Sequence, residues 1–201
     1  MTENSILQFK ITLQEIQHPI WRRIQISDKG TCWDLHVAIQ DAMGWTDSHL
    51  HEFSVIHPET LEKKSLGIPD DGEDFNPTFA SWKAKVTDYM KVQANHKISY
   101  LYDFGDSWRH IIEFEGSHEK QPGKYPRCLA GERACPPEDV GGVMGYENFL
   151  SIIKDTKNKE RKELLAWAGG KFDAEKFDPA KVKFDNPKVR WRNAFSEEVA
   201  F

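Results

Sequence analysis

Apolar and polar residues alternate along the first part of the chain, and this pattern most constrains the fold. Residues 6–16 read ILQFKITLQEI, and residues 20–26 read IWRRIQI. A period of two places every second side chain on the same face, as in a strand that is buried on one side only. His18 and Pro19 interrupt the alternation between the two runs. The sequence therefore predicts an antiparallel hairpin within a sheet that is covered on one face.

Further along, the pattern predicts a helix and more strands. Thr31 is a suitable N-cap for a helix that runs to about Met43 and ends at Gly44. Residues 49–57 form a predicted third strand, and residues 61–68 an irregular fourth. The later segments are an ambiguous strand or short helix (83–90), paired strands (98–104 and 108–114), two helices (145–154 and 159–168) and a tail of short helical turns. The tail is expected to dock through Phe177, Phe184 and Trp191.

Strands and one helix come first and helices come last, which is typical of an α+β protein. We expect a mostly antiparallel sheet with a packed N-terminal helix and C-terminal helices. Of the 201 residues, 39 % are hydrophobic and 12 % are aromatic, which is enough for one core. We therefore predict a single domain over residues 1–201, with a sheet-rich part (1–118), a motif loop (119–144) and a helical part (145–201).

Charge and hydropathy narrow the classes of partner. The 27 Lys and Arg against 32 Asp and Glu give a net charge of −5, which disfavours tight nucleic-acid binding. Residues 154–192 carry 12 basic and 7 acidic residues, so this region is either a solvated helical surface or a weakly supported contact for an anionic partner. No apolar run approaches the ~20 residues of a membrane span. With no export signal, the three cysteines predict free thiols in the cytoplasm.

Residues 100–142 concentrate the reactive side chains of the chain. Asp103 and Asp106 bracket a tight turn between two predicted strands, and Glu138 and Asp139 stand between two prolines and a predicted helix. Both pairs have a structural explanation, because Asp at turns accepts from backbone amides and acidic residues favour helix N-termini. The alternative is that they line one ligand site. The candidate ligand-binding residues are Asp103, Asp106, Trp108, His110, Pro137, Glu138, Asp139, Gly141 and Gly142.

A second set of residues has side chains that bind metals. His49 and His51 are two apart in a predicted strand and would share one face, as half of a metal site. The structural alternative is that one of them packs beside Trp45 while the other forms a hydrogen bond with a neighbouring strand. Cys128 and Cys135 are wider apart than zinc-finger ligands, so buried free thiols are the main alternative. The candidate metal ligands are His49, His51, Asp106, His110, Cys128 and Cys135. The acidic run at residues 70–74 is expected to be a solvated loop, since it lacks the spacing of a calcium-binding EF-hand.

Two long motifs carry a resemblance to a known family. The runs YLYDFGDSWRH (100–110) and CLAGERACPPEDVGG (128–142) are similar to those of the Ri-plasmid ORF-three-like family, also labelled the insertion-element passenger TnpR family. The runs at residues 45–53 and 172–177 match further motifs of that family. The resemblance covers nearly the whole chain and implies one compact α+β domain, found in bacteria and archaea and associated with mobile elements. The motif positions that it adds to the candidates above include Pro136.

The resolvase label of that family does not fit the residues of this chain. A serine recombinase needs a nucleophilic Ser near the N-terminus with several Arg residues that hold phosphate. Here Ser5 stands in a predicted strand, and no Arg precedes Arg22. A tyrosine recombinase needs a late Tyr, but the last Tyr is Tyr146. We therefore reject recombinase catalysis and attribute the label to an association with mobile elements.

Three hypotheses of function remain. The first is an accessory domain that binds a ligand or a protein partner through residues 103–110 and 136–142. The second is a metal-dependent hydrolase or nuclease, in which a divalent metal bound by Asp103, Asp106, His110, Glu138 and Asp139 activates water. The third is a DNA-associated factor that acts through residues 154–192. The sequence identifies neither catalytic residues nor a cofactor.

Overall fold

The computed structural model describes residues 5–57, 59–69, 77–90 and 97–195. Its centre is an eight-stranded sheet with the order β5-β4-β3-β6-β7-β1-β2-β8. All neighbouring strands are antiparallel except β4 and β5, so the expected α+β architecture with a mostly antiparallel sheet is confirmed. The strands are β1 (Ser5–Leu13), β2 (Trp21–Ser27), β3 (His51–Ile56), β4 (Lys63–Gly67), β5 (Thr78–Ala80), β6 (Lys97–Tyr102), β7 (Trp108–Glu119) and β8 (Arg127–Glu132).

The helices lie mainly in the C-terminal part. They are α1 (Cys32–Met43), α2 (Val86–Met90), α3 (Gly142–Lys154), α4 (Arg161–Trp167) and α5 (Pro187–Phe195), with short 3-10 turns at Ser81–Lys83 and Pro179–Lys181. None of the helices in the described ranges is long and apolar enough to cross a membrane.

The first helix begins and ends where the sequence predicts. Thr31 accepts a hydrogen bond from the amide of Asp34 at 3.2 Å, and the Asp34 carboxylate accepts one from the amide of Thr31 at 2.7 Å. This reciprocal capping box satisfies two amides that the helix itself leaves free. Gly44 ends the helix with φ +91° and donates to the carbonyl of Gln40. The prediction for this helix is confirmed.

The core lies between α1 and the face of the sheet that α1 covers. Along β1, the alternation predicted from the sequence is confirmed, since Leu7, Phe9, Ile11 and Leu13 are all buried. The helix α1 buries ten of its twelve residues, including Leu35. Full burial of a large aliphatic or aromatic side chain contributes about 1.5–3 kcal/mol, so this face supplies much of the stability.

Two local predictions need correction. The motif loop predicted over residues 119–144 contains β8, which pairs with the free edge of β2; its sequence RCLAGE lacks the β-branched residues that mark a strand. The strand predicted to include His49 begins at His51. A third prediction is resolved, because the segment at residues 83–90, for which the sequence left a strand or a short helix open, contains the helix α2. The acidic run at residues 70–74 falls outside the described residues.

The C-terminal tail returns across the molecule to α1. Phe177 stacks on the guanidinium of Arg22, with 3.6 Å between the guanidinium carbon and the ring centroid. On α5, Trp191 contacts the ring of Trp82. Arg190 binds the carboxylate of Asp41 on α1 at 2.6 Å. Aromatic and ionic contacts therefore join the two ends of the fold.

Candidate functional site

The turn between β6 and β7 is fixed by the carboxylate of Asp103. Its Oδ1 accepts from the amides of Gly105 at 2.9 Å and Asp106 at 3.2 Å, and its carbonyl accepts from Ser107 at 2.7 Å. Asp103 has φ +56°, a conformation that Asp tolerates better than most residues. Oδ1 of Asp103 thus stabilises the turn by accepting hydrogen bonds from backbone amides, as Asp in turns commonly does. The other oxygen, Oδ2, points to the ring of His49.

The proline bend, which we define as residues 136–141, is held beside this turn by the segment before β3 and by Tyr102 at the end of β6. The indole of Trp45 donates to the carbonyl of Pro136 at 3.0 Å. The amide of Thr46 donates to the Glu138 carboxylate at 2.9 Å, and the hydroxyls of Thr46 and Tyr102 donate to it as well. Burial opposes ionisation of Glu138, but these donors outweigh it, so the pKa of the carboxyl lies below its ordinary value. Glu138 is therefore an ionised anchor of the bend.

A close backbone contact joins the turn to the start of α3. The Asp106 carboxylate accepts a hydrogen bond from the amide of Gly141 at 3.0 Å. Gly142 lies against the carbonyl of Asp106, where a β-carbon would stand 2.7 Å from the oxygen. Gly141 and Gly142 have φ values of +93° and +67°, which glycine adopts without steric cost. The glycine pair thus lets the bend approach the turn closely.

Three side chains converge where these segments meet. His49 Nε2 lies 2.7 Å from Asp139 Oδ1 and 3.6 Å from Asp103 Oδ2. One ligand atom from each residue lies within 4.8 Å of the others, and the described residues form no other such group of three or more His, Cys, Asp or Glu side chains. We call His49, Asp103 and Asp139 the His-Asp cluster. An imidazole and two carboxylates can hold a proton between them or bind a cation.

A cleft of about 600 Å³ opens beside the His-Asp cluster, between the proline bend and the helices α3 and α4. Asp139 belongs both to the cluster and to the wall of the cleft. The apolar wall includes Phe149 and the half-exposed Trp167, whose rings pack edge to face at 6.2 Å. Glu160 and Glu163 lie on the α4 side. Mixed apolar and polar walls of this size are typical of sites that bind a small molecule or a peptide side chain.

The structure brings together most of the candidate ligand-binding residues. Asp103 and Asp106 of the turn lie beside Glu138, Gly141 and Gly142 of the bend through the contacts described above. Pro137 lies between Pro136 and Glu138, both of which are held from the segment before β3. His49, a candidate metal ligand, joins them, whereas the remaining candidates lie elsewhere.

Trp108 and His110 lie in the core beneath the site. Both are fully buried, and the ring of Trp45 contacts each of them. Burial lowers the pKa of His110 to about 3. The Trp108 indole has no hydrogen-bond partner among the described residues. These two side chains support Trp45, and through it the proline bend.

His51 faces away from His49. Because His49 precedes the strand, the two histidines do not share a face. The ring of His51 stacks on that of His36 at 3.5 Å inside the core, and burial lowers its pKa well below the ordinary value. His36 in turn contacts Asp47 at 2.7 Å and the Tyr100 hydroxyl at 2.8 Å. A neutral, buried histidine pair thus lies behind the segment that carries the site.

The two motif cysteines lie away from the His-Asp cluster. Cys128 is on the edge strand β8, and its thiol contacts the carbonyl of Ala130 at 3.6 Å. Cys135 lines a separate cleft together with Arg22, and burial raises the pKa of its thiol to about 12. Both thiols are free, and within the described ranges neither belongs to a group of three or more side chains close enough to bind one metal ion.

Sequence reasoning missed Thr46 and Tyr102 as residues that hold the site. Both donate to Glu138, and Tyr102 also accepts from the amide of Ser48 at 3.0 Å. Burial raises the pKa of the Tyr102 hydroxyl far above its usual range, so it remains a donor. In the sequence, Tyr102 resembles any other aromatic residue of a strand. Its position directly before Asp103, at the end of a predicted strand, is the signal that could have identified it.

Comparison with known proteins agrees with this fold and these motifs. A family described as plasmid pRiA4b ORF-3-like protein matches residues 5–181. A relative from Sinorhizobium fredii, named uncharacterized protein y4hQ, is 30 % identical over 190 residues, covering 93 % of this chain and 94 % of the relative. The crystal structure of a protein of unknown function, MM3350 from Methanosarcina mazei Go1, is similar with a TM-score of 0.81 and 40 % identity, covering 91 % of this chain and all of that one. The match spans the strands, the turn, the bend and α3, and the chain therefore belongs to the plasmid pRiA4b ORF-3-like family.

Proposed function

We propose that this protein is an accessory domain that binds a small ligand, or a side chain of a partner protein, in the cleft beside the His-Asp cluster. The observation that carries the proposal is the convergence of three distant segments beside that cleft, whose wall includes Asp139. His49, Asp103 and Asp139 come from three different parts of the chain, yet their ligand atoms lie within 4.8 Å of one another. Preformed concave sites with a few convergent polar groups are the usual form of a ligand site.

The exposed aromatic surface of the cleft favours a role in ligand binding over a purely structural role in packing α3 against the turn. The half-exposed Trp167 and the buried Phe149 present aromatic surface to an opening of about 600 Å³. A junction that served only to pack α3 against the turn would bury this surface. Aromatic side chains contribute large contact areas at low entropic cost, which suits the wall of a binding site.

Hydrolysis by a bound metal is the second candidate, favoured by the presence of Asp103 and Asp139 in one cluster. The other three residues of that hypothesis have different surroundings. Asp106 accepts from Gly141, Glu138 accepts from several donors, and His110 lies in the core. The carboxylates of Asp106 and Glu138 are therefore already engaged, which leaves fewer groups to activate water than the hypothesis requires.

Nucleic-acid binding is the weakest candidate. Several basic residues of the C-terminal part pair with neighbouring carboxylates, as Lys176 does with Asp173 and Lys181 with Asp178. Such pairing leaves less positive charge for phosphate groups.

We also infer a mobile-element context, from the motifs, and a cytoplasmic setting, because the three cysteines are free thiols.

A fragment screen observed by protein NMR tests the binding proposal. Fragments with an ammonium, a carboxylate or no charge would be added to ¹⁵N-labelled protein, with backbone amides and indole N–H groups as readout. We expect shifts that centre on residues 139–149 and 160–167 and that weaken at least tenfold in Trp167→Ala. Phe79→Ala is the matched control, because Phe79 is similarly exposed but lies on β5.

The screen can contradict the proposal in two ways. Fragments could produce no shift in those segments at millimolar concentration. Alternatively, they could bind with the same affinity in Trp167→Ala and Phe79→Ala, in which case the cleft would not be the binding site. Hydrolase activity is measured separately, with a chromogenic phosphodiester and carboxylic ester in the presence of Mn²⁺.

A further inference from the structure

We propose that the His-Asp cluster is a binding site for a divalent first-row metal ion, with His49, Asp103 and Asp139 as its protein ligands. This inference goes beyond the proposed function, because it concerns an ion bound next to the cleft and holds whether or not the cleft takes an organic ligand. No other group of described residues offers three such ligand atoms together.

The spacing of the ligand atoms suits an ion. Ligands about 2.1 Å from a metal and adjacent in its coordination shell lie about 3 Å apart. The distances from His49 Nε2 to Asp139 Oδ1 and to Asp103 Oδ2 are 2.7 Å and 3.6 Å, which bracket that value. The third distance, between the ligand atoms of Asp103 and Asp139, is no more than 4.8 Å.

Asp103 supplies a second, independent observation. Its side chain is only 8 % exposed, and its Oδ1 is occupied by two backbone amides. Oδ2 takes part in none of the hydrogen bonds found among the described residues; at 3.6 Å, the His49 ring is beyond hydrogen-bonding distance. A carboxylate oxygen that accepts no hydrogen bond is available to a cation. A cation among the three ligand atoms would therefore bind Oδ2 without breaking either of the hydrogen bonds to Oδ1.

The two amides on Oδ1 also orient the ligand. Hydrogen bonds to the outer atoms of a ligand fix its direction and are typical of metal sites. Asp139 is held from both sides, since Glu138 before it is anchored by Thr46 and the amide of Gly141 after it is bound by Asp106. Two ligands are thus positioned by the contacts that build the junction.

The donor set indicates the class of ion. One imidazole and two carboxylates suit Mn²⁺, Fe²⁺ or Zn²⁺, whereas Ca²⁺ takes six to eight oxygen atoms. Three protein ligands leave coordination positions open, as in metal sites that also bind a ligand or water. Asp139 lines the cleft, so those positions would be close to the cleft.

The alternative is that the cluster binds a proton only, with a protonated His49 paired to the two carboxylates. Titration with Mn²⁺ distinguishes the two cases. Protein purified without an affinity tag and stripped with EDTA would be titrated while the six-line electron paramagnetic resonance signal of free Mn²⁺ is followed. We expect one equivalent of Mn²⁺ to bind, and Zn²⁺ to displace it.

The position of the bound ion is tested by comparing variants of its proposed ligands with matched control variants. Asp139→Asn and His49→Gln should each weaken Mn²⁺ binding at least tenfold, whereas Asp173→Asn and His57→Gln, which change the same residue types elsewhere, should leave it unchanged. Asp139 is 67 % exposed, so its variant will fold even if substitution of the buried Asp103 does not. In the wild type, Mn²⁺ should broaden the amide signals of residues 48–50, 103–105 and 139–141.

Three results would overturn the inference: no Mn²⁺ or Zn²⁺ bound at one equivalent; equal affinities in Asp139→Asn and Asp173→Asn; or broadening centred on other carboxylates. None of these results bears on fragment binding in the cleft, which is measured in the metal-free protein. Failure of the metal site and failure of the proposed function are therefore separate outcomes.

Discussion

The close contact between Gly142 and Asp106 yields a quantitative prediction about the junction that carries the site. Gly142 has φ +67°, and a β-carbon there would stand 2.7 Å from the Asp106 carbonyl oxygen. The neighbour is backbone, so it cannot rotate out of the way as a side chain could. Gly142→Ala therefore adds two costs, one for the left-handed conformation and one for the clash.

The two costs can be separated with a matched variant. Gly44 also adopts a left-handed conformation, with φ +91°, but a β-carbon there would meet no atom within 4 Å. Gly44→Ala thus adds only the conformational cost, about 1–2 kcal/mol. Gly142→Ala adds the same amount and about 1–3 kcal/mol for overpacking. We expect total losses of unfolding free energy of about 1–2 and about 2–5 kcal/mol, respectively.

Urea denaturation followed by circular dichroism measures both losses under the same conditions. A domain of this kind is stable by about 5–15 kcal/mol, so both variants should remain folded. Fragment binding in the cleft should weaken in Gly142→Ala and not in Gly44→Ala, because only the former displaces the bend. Equal losses within about 0.5 kcal/mol would refute the argument that close approach, and not conformation alone, requires glycine at position 142.

Three further predictions concern the supports of the site and of the fold. Burial holds the pKa of His110 at about 3, below its unfolded value of about 6.5, so the unfolded chain binds more protons between these values and stability falls as the pH drops. His110→Phe should reduce the slope of unfolding free energy against pH by up to about 1.4 kcal/mol per pH unit between pH 6 and 4 in urea titrations; a slope unchanged from wild type would contradict this. Arg190→Met removes the cation that pairs with the largely buried carboxylates of Asp41 on α1 and Asp47 before β3, and should cost about 2–4 kcal/mol in the same assay; a loss below about 0.5 kcal/mol would show that the ion pairs are dispensable. Asp106→Ala removes the acceptor of the Gly141 amide and should cost about 1 kcal/mol by thermal unfolding while it weakens fragment binding in the cleft; full retention of binding would contradict the role assigned to it.

The sequence correctly predicted the elements that depend on local signals, namely hydrophobic periodicity and helix-capping residues. The alternation in β1 and the capping of α1 by Thr31 and Gly44 depend on periodicity and terminal residues that can be read directly. The strand β8 could not be predicted in this way. Its six residues include Gly131, and it exists because β2 offers an unpaired edge. Such a strand is a product of tertiary pairing and not of propensity.

The residues of the site divide in the same way, into those that a local pattern identifies and those whose position depends on tertiary structure. The concentration of carboxylates and glycines in the sequence predicted that the turn and the bend would belong to one site, and the proposed function includes Asp103 and Asp139 from these two segments. Which side chains face the opening depends on strand ends that periodicity locates only to within a few residues. A strand that began two residues earlier would have put His49 and His51 on one face. In the structure His49 precedes the strand and reaches Asp139, while His51 turns into the core.

Backbone strain is concentrated at this junction, which argues against a purely structural role for it. Seven non-glycine residues in the described ranges have positive φ, and Asp47, Asp103, Ser107 and Asp139 are four of them. Such conformations cost about 1–3 kcal/mol each and persist only where surrounding contacts enforce them. A turn that merely reversed the chain could use glycine at these positions at no such cost. Here the strained positions include two side chains of the His-Asp cluster, so the cost is incurred at residues whose side chains converge. If replacing Asp139 by glycine stabilised the fold while it abolished Mn²⁺ binding, the strain would be shown to serve the site.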